Sequence, residues 1–226
     1  MKKNDLIFLA SVVAVVAAFA LIPKLLDIYK TYNNQHGMWM SFLKFALLAT
    51  LGESIALRIR TGKYNEKGFG LLPRALVWGF LGLTIKLAFV VFANGVPVFL
   101  AYLGFEGALT AMKTGLGWSM LLTAFSISTA MNLIYAPVMM TFHKITDIHI
   151  TDNGGTLSGL FRPIQFGKII SKLDWNRQWN FVFKKTIPFF WIPAHTITFL
   201  LPESMQVLFA ALLGIALGVL LSLRKG

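Results

Sequence analysis

The residues able to do chemistry are few, and two of them interrupt long apolar runs: Glu53 and Lys86. An ionisable group in such a run costs roughly 2.5 to 3.5 kcal/mol to place in hydrocarbon, so it needs a partner or a water-filled space. Counted along helices from a common end, Lys86 lies about 16 Å deep and Glu53 roughly 9 Å shallower, at 1.5 Å per residue. A Lys side chain can cover that offset. The spacing therefore predicts a Glu53–Lys86 pair, or a polar cavity the two share, through which a solute or a proton could pass. Lys44, near the opposite end of its run, is expected to snorkel to the interface.

A second group carries no formal charge. His195 follows Pro193 and neighbours Thr196 and Thr198, while Ser126, Ser128, Thr129 and Asn132 lie in another apolar run. Together they could line a narrow path whose width and polar groups set selectivity. The alternative is ordinary hydrogen bonding between helices, worth about 0.6 to 2 kcal/mol each. A third group, His143, Asp147, His149 and Asp152, offers nitrogen and oxygen ligands of the kind zinc or iron takes. Its spacing matches no strict ligand motif, and a solvated loop without metal is the expectation. There is no phosphate-binding loop, nucleophile elbow or dinucleotide fingerprint, so no catalytic residue and no cofactor is assigned. The chain has no Cys, which removes disulfides, thiolate catalysis and thiolate metal sites.

The elements that must position these residues follow from composition. Of 226 residues, 56% are hydrophobic and only 13% charged, against about 25% charged in soluble domains. A water-soluble fold of this length leaves too many residues exposed to hide that apolar surface. The expectation is an all-α polytopic transmembrane helix bundle of about six spans, near residues 6–22, 38–57, 75–103, 116–140, 186–201 and 204–223, each suited to about 30 Å of hydrocarbon. Asn94-Gly95-Val96-Pro97 predicts a break in the third, and Pro188 and Pro193 a kink or unwinding in the fifth. Residues 1–226 form one transmembrane domain, with a cytoplasmic loop at about 143–180. In that loop Phe161, Ile164, Ile169, Ile170 and Leu173 alternate with Arg162, Lys168 and Lys172, the pattern of a basic helix lying on the membrane surface. Trp175 and Trp179 read as interfacial anchors.

Charge sets the orientation. The net charge is +12. With the N-terminus inside, the inner face receives Lys2 and Lys3, then Arg58, Arg60, Lys63, Lys67 and Arg74, then the basic residues from Lys144 to Lys185, and finally Arg224 and Lys225. Only Lys24, Lys30 and Lys113 fall outside. Positive residues concentrate in cytoplasmic loops, so both termini are expected to be cytoplasmic. The partners implied are the bilayer and its anionic lipids at the cytoplasmic face. Nucleic acid is not among them, because no basic stripe with interleaved aromatics sits on a soluble module. A bacterial plasma membrane is the expected location, with an organellar inner membrane second. Lys2-Lys3, the apolar stretch and Ala18-Phe19-Ala20 also resemble a cleavable leader, but Asp5 and the length of the stretch favour a retained span.

Helices in lipid associate through small residues and hydrogen bonds. Ala210, Gly214, Gly218 and Ser222 recur every fourth residue, with Gly214 and Gly218 forming GxxxG; Ala10, Ala14 and Ala18 repeat the spacing. Packing within the bundle is the expectation, and a homo-oligomer seam is the alternative.

Several of these features resemble the Mpv-seventeen and peroxisomal membrane protein family of small polytopic inner-membrane proteins. Gly52-Glu53 stands where that family has a Gly-Asp pair at a helix end, followed by Arg74, Trp78, Gly79, Gly82 and Phe89 in the place of its basic loop and Gly-rich aromatic helix. Ala136-Pro137 resembles its apolar-Pro step, and Trp191, Pro193, Thr198, Phe199, Pro202 and Gln206 follow the order of its last motif. Here one extra residue separates Trp191 from Pro193, the step from Phe199 to Pro202 is one residue short, and Thr198 and Gln206 replace an Asn and an Arg. The resemblance covers about residues 40–223 and implies passage of a solute or ion across an energy-conserving membrane. The leading expectation is thus a small channel or transporter-like protein. The alternatives are a membrane-embedded enzyme acting on a lipid or a membrane-delivered substrate, with His143, Asp147 and His149 at its inner surface, and a scaffold that neither transports nor catalyses.

Overall fold

The computed structural model describes residues 3–113 and 117–223. Lys2, Leu116, Arg224 and Lys225, used above for span limits and orientation, lie outside the described residues, as does the side chain of Ser222. The described residues are all-α, without a strand. The chain divides into two units, residues 1–40 and 41–226.

The first unit holds α1 (Lys3–Leu21) and α2 (Pro23–Gln35). They meet at Ile22, because Pro23 cannot donate a helical N–H but fits the first turn of the next helix. The Phe19 ring stands edge-on to Tyr29 at 5.8 Å. The helix α3 (Gly37–Thr61) begins in this unit and runs into the second.

The second unit contains α4 (Leu71–Tyr102), the short α5 (Ala108–Ala111), α6 (Trp118–Asp152), α7 (Leu157–Leu160), α8 (Phe166–Lys172) and α9 (Trp175–Arg177). Without a break, α9 becomes a π-wound segment, Gln178–Trp191, and then α10 (Ile192–Leu200); α11 (Glu203–Leu223) ends the described chain. Among the described residues, five helices are by length and composition able to cross a membrane: α1, α3, α4, α6 and α11.

Burial in the second unit is arranged for a solvent that is not water. Leu47, Leu87, Leu133, Ile134 and Val138 are more than half exposed. The interior instead holds small and polar side chains: Ala49, Ala124, Ala210 and Ala211 beside Thr123, Ser128, Asn132 and Thr198. Lipid gives large aliphatics no reason to hide, so the contacts fall to residues that let backbones approach or that hydrogen-bond across helices. A core of Phe45, Ile85, Phe89, Ile127, Met131, Phe199 and Val207 joins α3, α4, α6, α10 and α11. Helices α3 and α4 meet where a Cβ on Gly82 would lie 2.6 Å from the Ser41 carbonyl oxygen, and one on Gly79 would strike the Phe42 ring. A Cβ on Gly218 would come 3.3 Å from the Gly52 carbonyl oxygen, and one on Gly52 would come 2.9 Å from the Cα of Ile215. This part of the α11 stripe is therefore spent inside the chain.

Four elements differ from their sequence readings. No break occurs at residues 94–97, because α4 continues through Pro97. A helix in hydrocarbon loses less by forgoing one hydrogen bond than by exposing several backbone groups, and the Asn94 amide folds back to the Val90 carbonyl at 2.8 Å. Helix α6 does not stop at residue 140 but continues to Asp152, since Ile145 and Ile150 remain buried on its inner face. The loop expected from residue 143 thus starts as helix. The amphipathic pattern of residues 160–173 yields a helix only over Phe166–Lys172, where Ile169 and Leu173 pack on Ile145. The stretch around Pro188 stays helical and is wound more widely, with Ile192 N–H bonded five residues back to Ile187 O and the Thr186 hydroxyl to Phe181 O.

Candidate functional site

Two glycine turns place the first part of the site. Gly70 and Gly155 both have positive φ, at 74° and 67°, a region that costs side-chain-bearing residues roughly 1–2 kcal/mol. They also touch: a Cβ on Gly155 would lie 2.7 Å from Gly70 N, and one on Gly70 2.9 Å from Gly155 Cα. The loop before α4 is thereby held against the end of α6. The Arg74 N–H bonds to Gly70 O at 2.9 Å and opens the first turn of α4, which brings its side chain to the last turns of α6.

There Arg74 binds two carboxylates from two helices. Its Nη1 donates to Glu53 Oε2 of α3 at 2.6 Å and also to Asp147 Oδ1 of α6. Its Nε donates to the Phe69 carbonyl at 2.7 Å, and the guanidinium lies 4.6 Å from the centroid of the Phe69 ring. The other oxygen of Glu53 accepts from the Trp78 indole N–H at 2.7 Å and meets His143 Nε2 at 3.0 Å. The His143 ring lies 4.2 Å from that of Trp78. All of these charged side chains are at most one-fifth exposed. Desolvating one arginine and two carboxylates is costly unless each finds charge-assisted hydrogen bonds, and here each does.

Glu53, His143 and Asp147 can bring one ligand atom each to within 4.8 Å of one another. Arg74 Nη1 already occupies a lone pair on each carboxylate, so a cation there would face a guanidinium. The cluster is complete as an ion network.

This network stands at the wall of a cavity of about 700 Å³, a volume within the range that holds one small organic molecule. Arg60 near the end of α3, Lys67 in the α3–α4 loop, Lys144 within α6 and Arg177 at the end of α9 line it, and each is exposed. Farther along the helices its wall becomes aromatic and aliphatic, with Phe45, Tyr135, Phe181 and Trp191. There His195 Nδ1 meets the Asn132 amide, 3.0 Å from Nδ2 and 3.2 Å from Oδ1. The Asn132 amide also donates to Ser128 O at 2.9 Å. The His195 ring stacks on Trp191 at 5.1 Å and meets the Phe89 edge at 5.9 Å. The π-wound segment supplies one side of the cavity. From just before it to just after it, Arg177, Phe181, Thr186, Trp191 and His195 recur every four to five residues and all line the cavity, with Val182 beside Phe181. In an α-helix of 3.6 residues per turn that spacing would drift around the axis, whereas i→i−5 winding keeps it on one face.

No family model, curated protein or solved structure matches the chain.

The sequence-nominated residues divide in a definite way. Glu53, Asn132 and His195 line this one cavity, as do His143 and Asp147. Lys86 is elsewhere, with its Nζ 3.0 Å from Glu203 Oε1 at the start of α11, so the Glu53–Lys86 pair does not form. Thr198 is buried and returns its hydroxyl to Ala194 O at 2.9 Å within its own helix. His149 is buried and meets Leu160 O at 3.2 Å, tying α6 to α7, apart from His143 and Asp147. Lys44 is buried rather than snorkelling. Gly214 and Gly218 both line the cavity, and a Cβ on Gly214 would meet nothing within 4 Å. Sequence reasoning missed Arg74 and Trp78 as members of the cluster; the signal available for both was their order after Gly52-Glu53.

Proposed function

We infer that this chain is a six-span membrane protein, with both termini cytoplasmic, that passes a small solute through the cavity running from Glu53 to His195. The sixth span is the continuous helix from Trp175 to Leu200, which has the length to cross although it is not among the five most apolar helices. With this orientation Arg60, Lys67, Lys144 and Arg177 mark the cytoplasmic mouth. The observation that carries the reading is the cavity itself. Buried polar and charged groups from α3, α4, α6 and α10 converge on one solvent-sized space inside an assembly whose outer surface is aliphatic. Intramembrane ionisable groups that face a cavity are the residue types that mark solute and ion pathways. The residues through which the chain resembles the Mpv-seventeen and peroxisomal membrane protein family, Glu53, Arg74 and Trp78 among them, meet at this mouth, and solute passage is what that resemblance implies.

The test is flux in proteoliposomes loaded with a mixture of labelled small ions and organic solutes. Wild-type protein is expected to release at least one solute faster than protein-free vesicles. Gly214→Phe, which places a ring in open space in the cavity wall, is expected to suppress that release while the protein still inserts. Lys86→Met, away from the cavity, is expected to retain it. No release of any solute across a range of voltages and pH gradients would remove the reading.

A further inference from the structure

The cavity has a charge and a polarity that select its occupant. The four cations at its mouth, Arg60, Lys67, Lys144 and Arg177, form no ion pair among the described residues. One acidic residue of the lining, Glu66, accompanies them, and it is exposed. The two deeper carboxylates, Glu53 and Asp147, are both engaged by Arg74. With the histidines neutral, the lining carries five cations, Arg74 included, against three carboxylates, Glu53, Glu66 and Asp147. Unsatisfied positive charge is therefore concentrated at the mouth, where low-dielectric walls focus its field. Beyond the ion network the wall turns apolar and aromatic, with Phe45, Tyr135, Phe181 and Trp191 among its lining residues. A small hydrated inorganic ion would find the mouth favourable and the interior poor. A neutral apolar molecule would find the reverse.

We propose that the solute is an amphipathic organic anion, with a phosphate or carboxylate head held by the cations of the mouth and an apolar body lying along the aromatic wall toward His195. This rests on the solute-passage reading and names the substrate class for the same cavity. Such an anion can arrive from the bilayer, as an alkyl or isoprenyl phosphate or a fatty acid, or from water, as an aryl phosphate or carboxylate. Head chemistry and length scale are common to both sources.

The full-length protein in phosphatidylcholine nanodiscs separates the possibilities. Tryptophan fluorescence is titrated with dodecyl phosphate, 2-naphthyl phosphate, dodecanol and dodecyltrimethylammonium, against empty discs and against Gly214→Phe. At least one of the two phosphates is expected to bind saturably at one site per chain. Preference for dodecyl phosphate marks the membrane as the source, and preference for naphthyl phosphate marks the aqueous phase. The double variant Lys144→Glu, Arg177→Glu is expected to weaken that binding about tenfold or more while leaving partitioning of dodecanol unchanged. Equal or tighter binding of the alcohol or the ammonium compound, or indifference to the double charge reversal, overturns the anion assignment. Flux that Gly214→Phe blocks, with no preference for anions, discards the substrate class and leaves passage standing. Saturable anion binding without any flux discards passage and leaves the anion site standing.

Discussion

Arg74 holds carboxylates of two helices through a single nitrogen, and that makes it the residue on which the mouth of the cavity depends. Arg74→Leu would leave Glu53 and Asp147 facing each other in poor solvent, and breaking a buried pair by removing one partner costs roughly 3–5 kcal/mol. The expected outcome is a large fall in the thermal unfolding midpoint in detergent, read by tryptophan fluorescence. Arg74→Lys is expected to recover little, since an ammonium cannot serve both carboxylates and the Phe69 carbonyl with a planar fork. Adding Glu53→Gln and Asp147→Asn to Arg74→Leu is expected to restore part of the loss, because the uncompensated charges are gone. Unchanged stability in Arg74→Leu would show that the network contributes nothing. In the sequence Glu53 was legible as a carboxylate inside an apolar run, but its partner was not. Depth along the helix nominated Lys86 and ignored direction around it: Lys86 is twelve residues beyond Arg74, about a third of a turn off that face. Arg74 read as a loop cation because hydropathy starts the helix at residue 75, whereas it starts at Leu71.

At the scale of elements, close approaches through glycine set which helices meet. Gly155→Ala is expected to be more damaging than the bare left-handed penalty of roughly 1–2 kcal/mol, because its Cβ would enter the backbone of residues 68–70. Gly154→Ala, with positive φ but open space, is expected to cost only that penalty. Comparison of the two unfolding midpoints checks that the two loops clasp; equal midpoints would show that they do not. Gly95 lies mid-helix with nothing within 4 Å of a Cβ, so Gly95→Ala is expected to stabilise by up to about 1 kcal/mol. A break at residues 94–97 would give the opposite sign. Element positions were largely legible from apolar runs, because a bilayer demands long helices. Their ends were not. Hydropathy fades where α6 leaves the most apolar zone, yet Ile145 and Ile150 keep it folded to Asp152. The π winding was hidden because its spacing of four to five residues imitates a broken helix, and the prolines encourage that reading.

For the whole molecule, the distribution of burial names the solvent. Aliphatic side chains such as Leu47 and Val138 point outward while Ser128 and Asn132 are fully enclosed, an order that water would reverse and lipid permits. The fold class was therefore visible in composition alone; a polar space was expected from Glu53, Asn132 and His195, but its walls were not legible, since convergence of four helices on one space is a property of their packing and of no single run. The absence of Cys from the sequence makes the decisive measurement simple. Gly214→Cys and Leu47→Cys are each made in the full chain and exposed to a membrane-impermeant maleimide in vesicles of known orientation, with an epitope inserted at residue 65 marking the cytoplasmic side. The expected result is labelling of Gly214→Cys from the epitope side and no labelling of Leu47→Cys from either side. A Gly214→Cys protein that resists the reagent from the epitope side, or a Leu47→Cys protein that reacts as readily as it does, would contradict a water-filled cavity inside a lipid-facing helical bundle.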